Sequence, residues 1–406
     1  MGLTVHQSEA AEKVLGLLEG NDMVLLKGSA GTGKTTVAGH IARILGNRVC
    51  ASAPTNKAVS VLSSKMPGTE AMTVHTGLNL KHSYGENGEL YFYVGDRDKP
   101  VFGSMPYVFV DEASMVDSRL LSLIRSGKGR SKVLFIGDEK QLNPVGEHNS
   151  PVFSLGIPEA VLSEIVRQSS ENPIIALSND LSLLKKRQDN VKGGRGYVFT
   201  RDSGKIIDTL AGSNGTSDFK YLSYTNGDVD NVNSIVRNVL YGNPDKVEKG
   251  ETLVFGKPYG RSYKTSDEVK VESLELRPLK VPYVQKRLGK KVKQGSFDCQ
   301  CYIINGSVLS LHEGSEKPFV KLRQQLHRSV KSGSLFWEDY HNFAGRFADL
   351  RYNHALTVHK SQGSTYRQVV INLGDIYLNR NPVERKRMLY TAVTRPEELV
   401  VVYDNF

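Results

Sequence analysis

Short apolar runs alternate with helix-period segments through the first 150 residues. A helical repeat over residues 5–19 sets Ala10, Val14, Leu17 and Leu18 on one face; the runs "MVLL", "VCASA", "YVFVD" and "KVLFIGD" follow, with a helical segment after Lys34. Continuous apolar runs separated by helices are the pattern of a parallel sheet covered on both faces, whose ligands gather beyond the carboxyl ends of the strands. A second α/β pattern starts near Leu155, carries "KYLSYTN", and resumes at "HALTVHKSQG", "QVVINL" and "LVVVY". Between about Glu248 and Leu350 the period drops to two, in "ETLVF", "DEVKVESLEL" and "FDCQCYIINGSVLSL", and a helical stretch around "LFWEDYHNF" leads back. This predicts a small β domain inserted into the second α/β unit. The expected limits are 1–153 for the first unit, 154–247 and 351–406 for the second, and 248–350 for the insert.

One stretch breaks the first unit: "SYGENGELYFYVGD", residues 83–96. Asn87-Gly88 suits a tight type I′ turn, so a hairpin is expected within about 79–104. Alternation then puts Tyr91 and Tyr93 on one face and Phe92 on the other.

Composition narrows the class. The chain has 406 residues, 39% hydrophobic and 24% charged, enough for two to four domains. No window approaches the roughly 18 apolar residues of a membrane span, and no signal-peptide pattern opens the chain, so an intracellular, cytoplasmic protein with no membrane partner is expected, in the host cytoplasm if the source is viral. Cys50 stands alone and Cys299 and Cys301 are two apart, which reads as packed thiols rather than as disulfides or a metal site. The net charge of +10 points to a polyanionic partner. Residues 277–293, "RPLKVPYVQKRLGKKVK", hold seven Lys or Arg and no acid, suited equally to phosphate contact and to a solvated loop.

Chemistry concentrates in a few motifs. "GSAGTGKT", Gly28 to Thr35, fits the phosphate loop G-x-x-x-x-G-K-[ST] between a strand and a helix. Backbone N–H groups of Gly28, Ser29, Ala30, Gly31, Thr32 and Gly33 can converge on phosphates, Lys34 reaches the terminal oxygens, Thr35 can hold magnesium, and Thr36 continues the helix start. Asp111 and Glu112 end the run "YVFVDEAS": Asp111 is placed for the magnesium shell and Glu112 for taking a proton from the attacking water. Gln141, in "FIGDEKQLNPV", either orients that water or stabilises a turn. Thr4 and Gln7 form a capping box, with a base-reading Gln7 as the alternative.

The ordered set "HQSEAA", "GSAGTGKTT", "SAPTNKAV", "TVHTGL", "VDEASMV", "GDEKQLNPV", "LSEIVRQSSENPI", "YLSYTNGDVDNVN", "ALTVHKSQGST" and "LYTAVTRPEEL" resembles the superfamily 1 DNA helicases of the RecD-like (1B) branch, most of all its phage-type Dda-like members. The resemblance implies two RecA-like domains, a hairpin at the point of strand separation, and an SH3-like β insert. It implies that Gln7 contacts adenine and that Arg167 and Arg395 reach across a cleft to the γ-phosphate as arginine fingers. It also implies a single-stranded DNA track through Thr55, Asn56, Thr73, His75, Asn226, Thr357, His359 and Lys360, with Tyr91, Phe92 and Tyr93 near the junction. Pro396 departs from the small residue usual after that arginine, and it restricts the backbone of Arg395.

The expected activity is therefore Mg-ATP-driven 5′ to 3′ movement on single-stranded DNA and unwinding of forked duplex. The expected protein is a functional monomer working beside replication or single-strand-binding proteins. An ATP-switched nucleic-acid-binding protein is the alternative from another class. A small-molecule kinase would explain neither the second α/β unit nor the polar strand ends. RNA stays open, because no residue read here detects the 2′-hydroxyl.

Overall fold

The computed structural model describes residues 2–85, 90–95, 101–164, 172–213, 215, 218–242, 244, 246–260, 262–288 and 291–405. The first helix spans Val5–Gly20, and its start is the expected capping box: Thr4 Oγ1 accepts the Gln7 N–H at 3.2 Å and Gln7 Oε1 accepts the Thr4 N–H at 3.1 Å. Two helix-end donors are thereby satisfied reciprocally.

Eight strands follow: β1 (Met23–Gly28), β2 (Val49–Ala53), β3 (Glu70–Thr73), β4 (Leu80–Tyr84), β5 (Leu90–Val94), β6 (Tyr107–Val110), β7 (Lys132–Gly137) and β8 (Glu159–Leu162). Six of them form a parallel sheet in the order β3-β2-β6-β7-β1-β8. Its core is apolar on both faces: Val24, Leu26, Val37, Ile41 and Leu134 pack on one side, and Leu25, Val108, Val133 and Phe135 on the other. Strand β8 runs beyond the boundary expected at residue 153, so the first sheet reaches Leu162. As an edge strand it buries only Ala160 and Leu162 and exposes Glu159 and Val161, which hides it from a search for continuous apolar runs.

The remaining strands are β9 (Asn190–Lys192), β10 (Arg195–Thr200), β11 (Phe219–Ser223), β12 (Thr252–Phe255), β13 (Glu268–Lys270), β14 (Leu274–Leu288), β15 (Lys291–Ile304), β16 (Val308–Leu311), β17 (Leu350–Tyr352), β18 (Ala355–Thr357), β19 (Tyr366–Asn372) and β20 (Pro396–Tyr403). A second sheet has the order β18-β11-β19-β20-β10-β9, parallel except for β9. The insert between β11 and β18 holds two three-stranded antiparallel sheets, β13-β12-β17 and β14-β15-β16. Because Tyr352 pairs with Leu253, the insert closes two positions later than expected. The helices Glu313–Lys331 and Trp337–Ala344 supply Phe319 and Phe343 to pack on Phe297 of β15, with ring centroids 5.7 and 6.0 Å away. All three cysteines are buried, and burial raises the Cys50 thiol to about 12 and Cys299 to about 11.

One buried ion pair ties the insert to the second α/β unit, and a buried lysine braces that unit beside it. Arg237, on the helix Asn226–Tyr241, makes a bidentate pair with Glu251 at 2.5 and 3.2 Å, and its guanidinium lies 4.0 Å from the centre of the Tyr352 ring. Lys220 of β11 is 1% exposed; its Nζ donates to Gly215 O at 2.7 Å and to Asn353 O, and burial pushes the ammonium down to about 7. Among the described residues no helix is long and apolar enough to cross a membrane.

Candidate nucleotide site and nucleic-acid track

The phosphate loop joins β1 to the helix Lys34–Leu45. Its glycines answer to space and to backbone angle: a Cβ on Gly28 would meet Thr32 Oγ1 at 2.6 Å, and Gly33 has φ 84° where the helix begins. Such a backbone at the start of a helix is the kind on which N–H groups can converge to hold phosphate. Lys34 Nζ donates to Gly28 O at 2.8 Å and Ser29 O at 3.0 Å, and lies 3.9 Å from Asp138 Oδ2 at the end of β7. Gln7, 5% exposed, donates from Nε2 to Thr32 O at 3.1 Å. One side chain therefore caps the first helix and braces the loop. Thr35 is half-buried and Thr36 exposed at the helix start.

Asp111 and Glu112 follow β6, beside the loop. Burial and the neighbouring Glu112 charge push the Asp111 carboxyl up to about 7, against the opposing pull of the Glu112 N–H and of Lys34. The two carboxylates crowded at this strand end outweigh the pull of Lys34, and a divalent cation held by Asp111 and Thr35 would offset them. Glu112 takes φ 53° and ψ 45°, a left-handed conformation, and opens a short turn at Ala113–Met115. Gln141 is 7% exposed, and its Oε1 accepts the Ser114 hydroxyl at 3.4 Å.

The helix Pro382–Val393 of the second sheet closes on this site. Arg387 Nη1 donates to Glu139 O, Gln141 O and Asn143 Oδ1, and its Nη2 donates to Asn149 Oδ1, all within 3.1 Å. Tyr390, 3% exposed, accepts the Ala30 N–H at 2.8 Å and donates to Asp138 Oδ2 at 2.5 Å. Thr391 Oγ1 accepts the Leu142 N–H at 3.1 Å. These three residues lie at helical spacings of three and four on one face, a signal present in "RMLYTAV" that the motif reading passed over. Arg395 lies just past that helix, 6% exposed, with its guanidinium on Thr391 O and Ser364 O at 3.1 Å. Its described hydrogen bonds stay within the second domain, and Pro396 begins β20, a strand-start position that proline tolerates. Arg167 lies outside the described residues.

The track candidates cluster at the carboxyl ends of both sheets. Thr55 follows β2 and Thr73 ends its neighbour β3, and each caps the helix after it, through Ala58 N–H and Thr76 N–H at 3.2 Å. Asn56 Nδ2 donates to Thr265 O of the insert at 3.4 Å. On the second sheet, exposed Asn226 accepts from Lys360 Nζ at 3.3 Å, and His359 lies 3.5 Å from Glu384 and 6.4 Å, centre to centre, from Tyr224. Burial lowers the His359 imidazole despite Glu384, and burial with Arg351 lowers the Lys360 ammonium. Thr357 is 5% exposed and its Oγ1 accepts the Lys360 N–H, so it shapes the turn from beneath the surface.

Strands β4 and β5 pair as the expected hairpin, with Ser83 opposite Tyr91 and His82 opposite Phe92. The Asn87-Gly88 turn lies outside the described residues. Tyr91 and Tyr93 are 38% and 43% exposed on one face. Phe92 turns inward and meets His75 edge-on at 4.9 Å between centroids; burial lowers that imidazole, with Asp117 opposing. In the basic run, Arg277 pairs with Glu275 and Arg287 with Asp339, so part of its charge is already neutralised.

Comparisons with known proteins agree with this geometry. Residues 2–193 match the AAA domain model and residues 352–403 the UvrD-like helicase C-terminal domain. The ATP-dependent DNA helicase dda of Enterobacteria phage T4 is 25% identical, over 97% of each chain. The ATP-dependent RecD2 DNA helicase of Deinococcus radiodurans is 35% identical over 43% of this chain and 24% of its own. The fold matches Pif1 helicase from Bacteroides in complex with ADP-AlF3 and single-stranded DNA with a TM-score of 0.52 at 15% identity, covering 99% of this chain and 92% of that one. It also matches a structure of two coordinating Pif1 helicases at forked double-stranded DNA, with a TM-score of 0.56 at 17% identity, covering 100% and 93%. A phosphate loop facing a second RecA-like domain, with the two domain matches along the chain, makes the protein an ATP-dependent DNA helicase that resembles the Dda- and RecD-like members of superfamily 1B.

Proposed function

We propose that the chain is a motor that moves 5′ to 3′ on single-stranded DNA and unwinds forked duplex, driven by Mg-ATP hydrolysis at the seam between its two RecA-like domains. The observation that carries this reading is the seam itself: Arg387, Tyr390 and Thr391 of one domain bond directly to the phosphate loop and the β7 loop of the other. A ligand at Lys34 must act on both domains at once, so differential contact with its terminal phosphate becomes relative movement. The direction of travel rests on the resemblance to the 1B branch.

In this reading Gly28 through Thr36 cradle the phosphates and Gln7 contacts the adenine. Thr35 and Asp111 would hold magnesium, which when bound neutralises charge on the terminal phosphates. Glu112 takes the proton of the attacking water, and Gln141 orients that water. Arg167 and Arg395 stabilise the charge that develops on the transferred phosphoryl group. For Arg395 this means leaving Ser364 O. Thr55, Asn56, Thr73, His75, Asn226, His359 and Lys360 line the strand's path, with Thr357 holding the last of these in place. The protein acts as a monomer in the cytoplasm, of the host if viral, alongside single-strand-binding or replication proteins.

Duplexes bearing a 5′ or a 3′ single-stranded tail, made as DNA and as RNA, test the reading. Unwinding of the 5′-tailed DNA alone, with single-stranded DNA stimulating hydrolysis and Lys34→Ala abolishing it, is the expected result. Stimulation without unwinding of any substrate would leave an ATP-switched binding protein, and unwinding of the 3′-tailed duplex would reverse the polarity. Arg167→Ala should bind nucleotide nearly normally while turning over far more slowly; an unchanged kcat would remove Arg167 from the site.

A further inference from the structure

The hydrogen bond between Tyr390 and the phosphate loop raises a question of competition. Ala30 is one of the loop residues whose N–H groups would receive phosphate, yet here that N–H is spent on a side chain from the other domain, 2.8 Å away. The same hydroxyl donates to Asp138, which is 2% exposed and sits 3.9 Å from Lys34 Nζ. Lys34 in turn is drawn onto the loop's own carbonyls, Gly28 O and Ser29 O. Hydroxyl, carboxylate and ammonium thus form one cluster where the terminal phosphates would lie, since that lysine is the group that reaches them.

We propose that Tyr390 is a latch that competes with phosphate: its hydroxyl and a terminal phosphate are alternative acceptors for the loop's Ala30 N–H, and phosphate displaces the hydroxyl. This rests on the ATP reading above and adds to it how arrival of phosphate is signalled to the second domain. The helix Pro382–Val393 is fastened to the P-loop domain at Arg387, Tyr390 and Thr391 together. An arriving phosphate is a better acceptor for the Ala30 N–H than a neutral phenol, because charge-assisted hydrogen bonds are about twice as strong as neutral ones. It also draws Lys34 away from the loop carbonyls. The middle of the three fastenings is released, and the helix that leads directly into Arg395 is freed to shift. Tyr390 is here a positioning residue; it does not touch the reacting atoms.

Tyr390→Phe keeps the buried ring and deletes the competitor. Titrations with a fluorescent non-hydrolysable ATP analogue and with fluorescent adenosine, with amide exchange of residues 382–393 followed in parallel, test the latch on the full chain. The variant should bind the ATP analogue roughly two- to ten-fold more tightly, the worth of one net hydrogen bond, with adenosine affinity unchanged. Exchange in the helix should rise on nucleotide addition in the parent and be high from the start in the variant. Equal or weaker binding of the ATP analogue by Tyr390→Phe, or an equal gain for adenosine, would overturn the latch. Failure of the ATP reading looks different: the parent and Lys34→Ala would then bind the ATP analogue alike, and the latch would fall with it. A thermal melt of the variant confirms that the fold is intact.

Discussion

Glu112 holds a left-handed backbone that costs a side-chain-bearing residue roughly 1–2 kcal/mol, more than the roughly 0.5–1 kcal/mol that glycine loses in entropy elsewhere. Relief of strain therefore outweighs the added freedom of the unfolded chain. Glu112→Gly should keep or raise the thermal midpoint while DNA-stimulated turnover falls at least about 100-fold, the usual worth of a positioned general base. A variant less stable by a full kcal/mol would make the carboxylate structural, and unchanged turnover would remove it as the base. The identity of this residue was legible from "VDEAS"; its strain was not, because backbone angles at a strand end depend on what the turn at Ala113–Met115 packs against. Gln7 shows the converse case. Its spacing from Thr4 announced the cap, while its second bond, to Thr32 O, depends on tertiary packing that no local spacing encodes.

Among the elements, the β4–β5 hairpin was readable from alternation alone, which separated Tyr91 and Tyr93 from Phe92. The partner of each face was not: Phe92 meets His75, while Tyr91 and Tyr93 stay exposed. Phe92→Ala should lower stability by about 1–3 kcal/mol and reduce hydrolysis and unwinding together, as loss of a packed aromatic does. Tyr91→Ala and Tyr93→Ala should stay within about 0.5 kcal/mol of the parent and, if their exposed face meets a base, lower base pairs opened per ATP. A stability loss confined to the tyrosines would reverse this assignment. The loop after β11 offers a second test. Asp375 accepts from Ser223 Oγ, Tyr224 N–H, Thr225 N–H and Thr225 Oγ1; burial pulls its carboxyl upward, but these donors outweigh it and hold the group below its ordinary value. A depressed folded value means the stabilisation is present above the unfolded pKa and is lost as pH falls through the folded one. Asp375→Asn should be less stable by about 2 kcal/mol at pH 7, with a smaller loss in acid than the parent shows; denaturant titrations at both pH values measure it. Nothing in "NLGDIY" marked this carboxylate, because the donors that hold it come from a segment about 150 positions earlier.

At the scale of the whole molecule, Arg387 makes four of the hydrogen bonds that join the two α/β domains among the described residues. Arg387→Ala should leave nucleotide affinity within about three-fold, because its contacts are to the β7 loop and not to the phosphate loop, while DNA-stimulated turnover falls at least ten-fold for want of a positioned second domain. Equal loss in affinity and turnover would instead place Arg387 in the pocket. The insert hangs on the Arg237–Glu251 pair, where removal of one partner strands a buried charge at a cost of about 3–5 kcal/mol. The two-sheet architecture was visible in the apolar runs; the bonds that join the sheets were not, since their donors and acceptors are separated by some 250 residues. Lys220 has a thermodynamic consequence of its own. Its ammonium titrates near 7 in the native protein, against about 10.4 in an unfolded chain, so unfolding between those values takes up a proton and stability rises with pH across the window. Calorimetric unfolding near pH 8.5 in buffers of different ionisation heat should then show the parent taking up about one proton more than Lys220→Met, the buried thiols contributing alike to both. That difference makes one buried lysine readable as heat exchanged with the solvent.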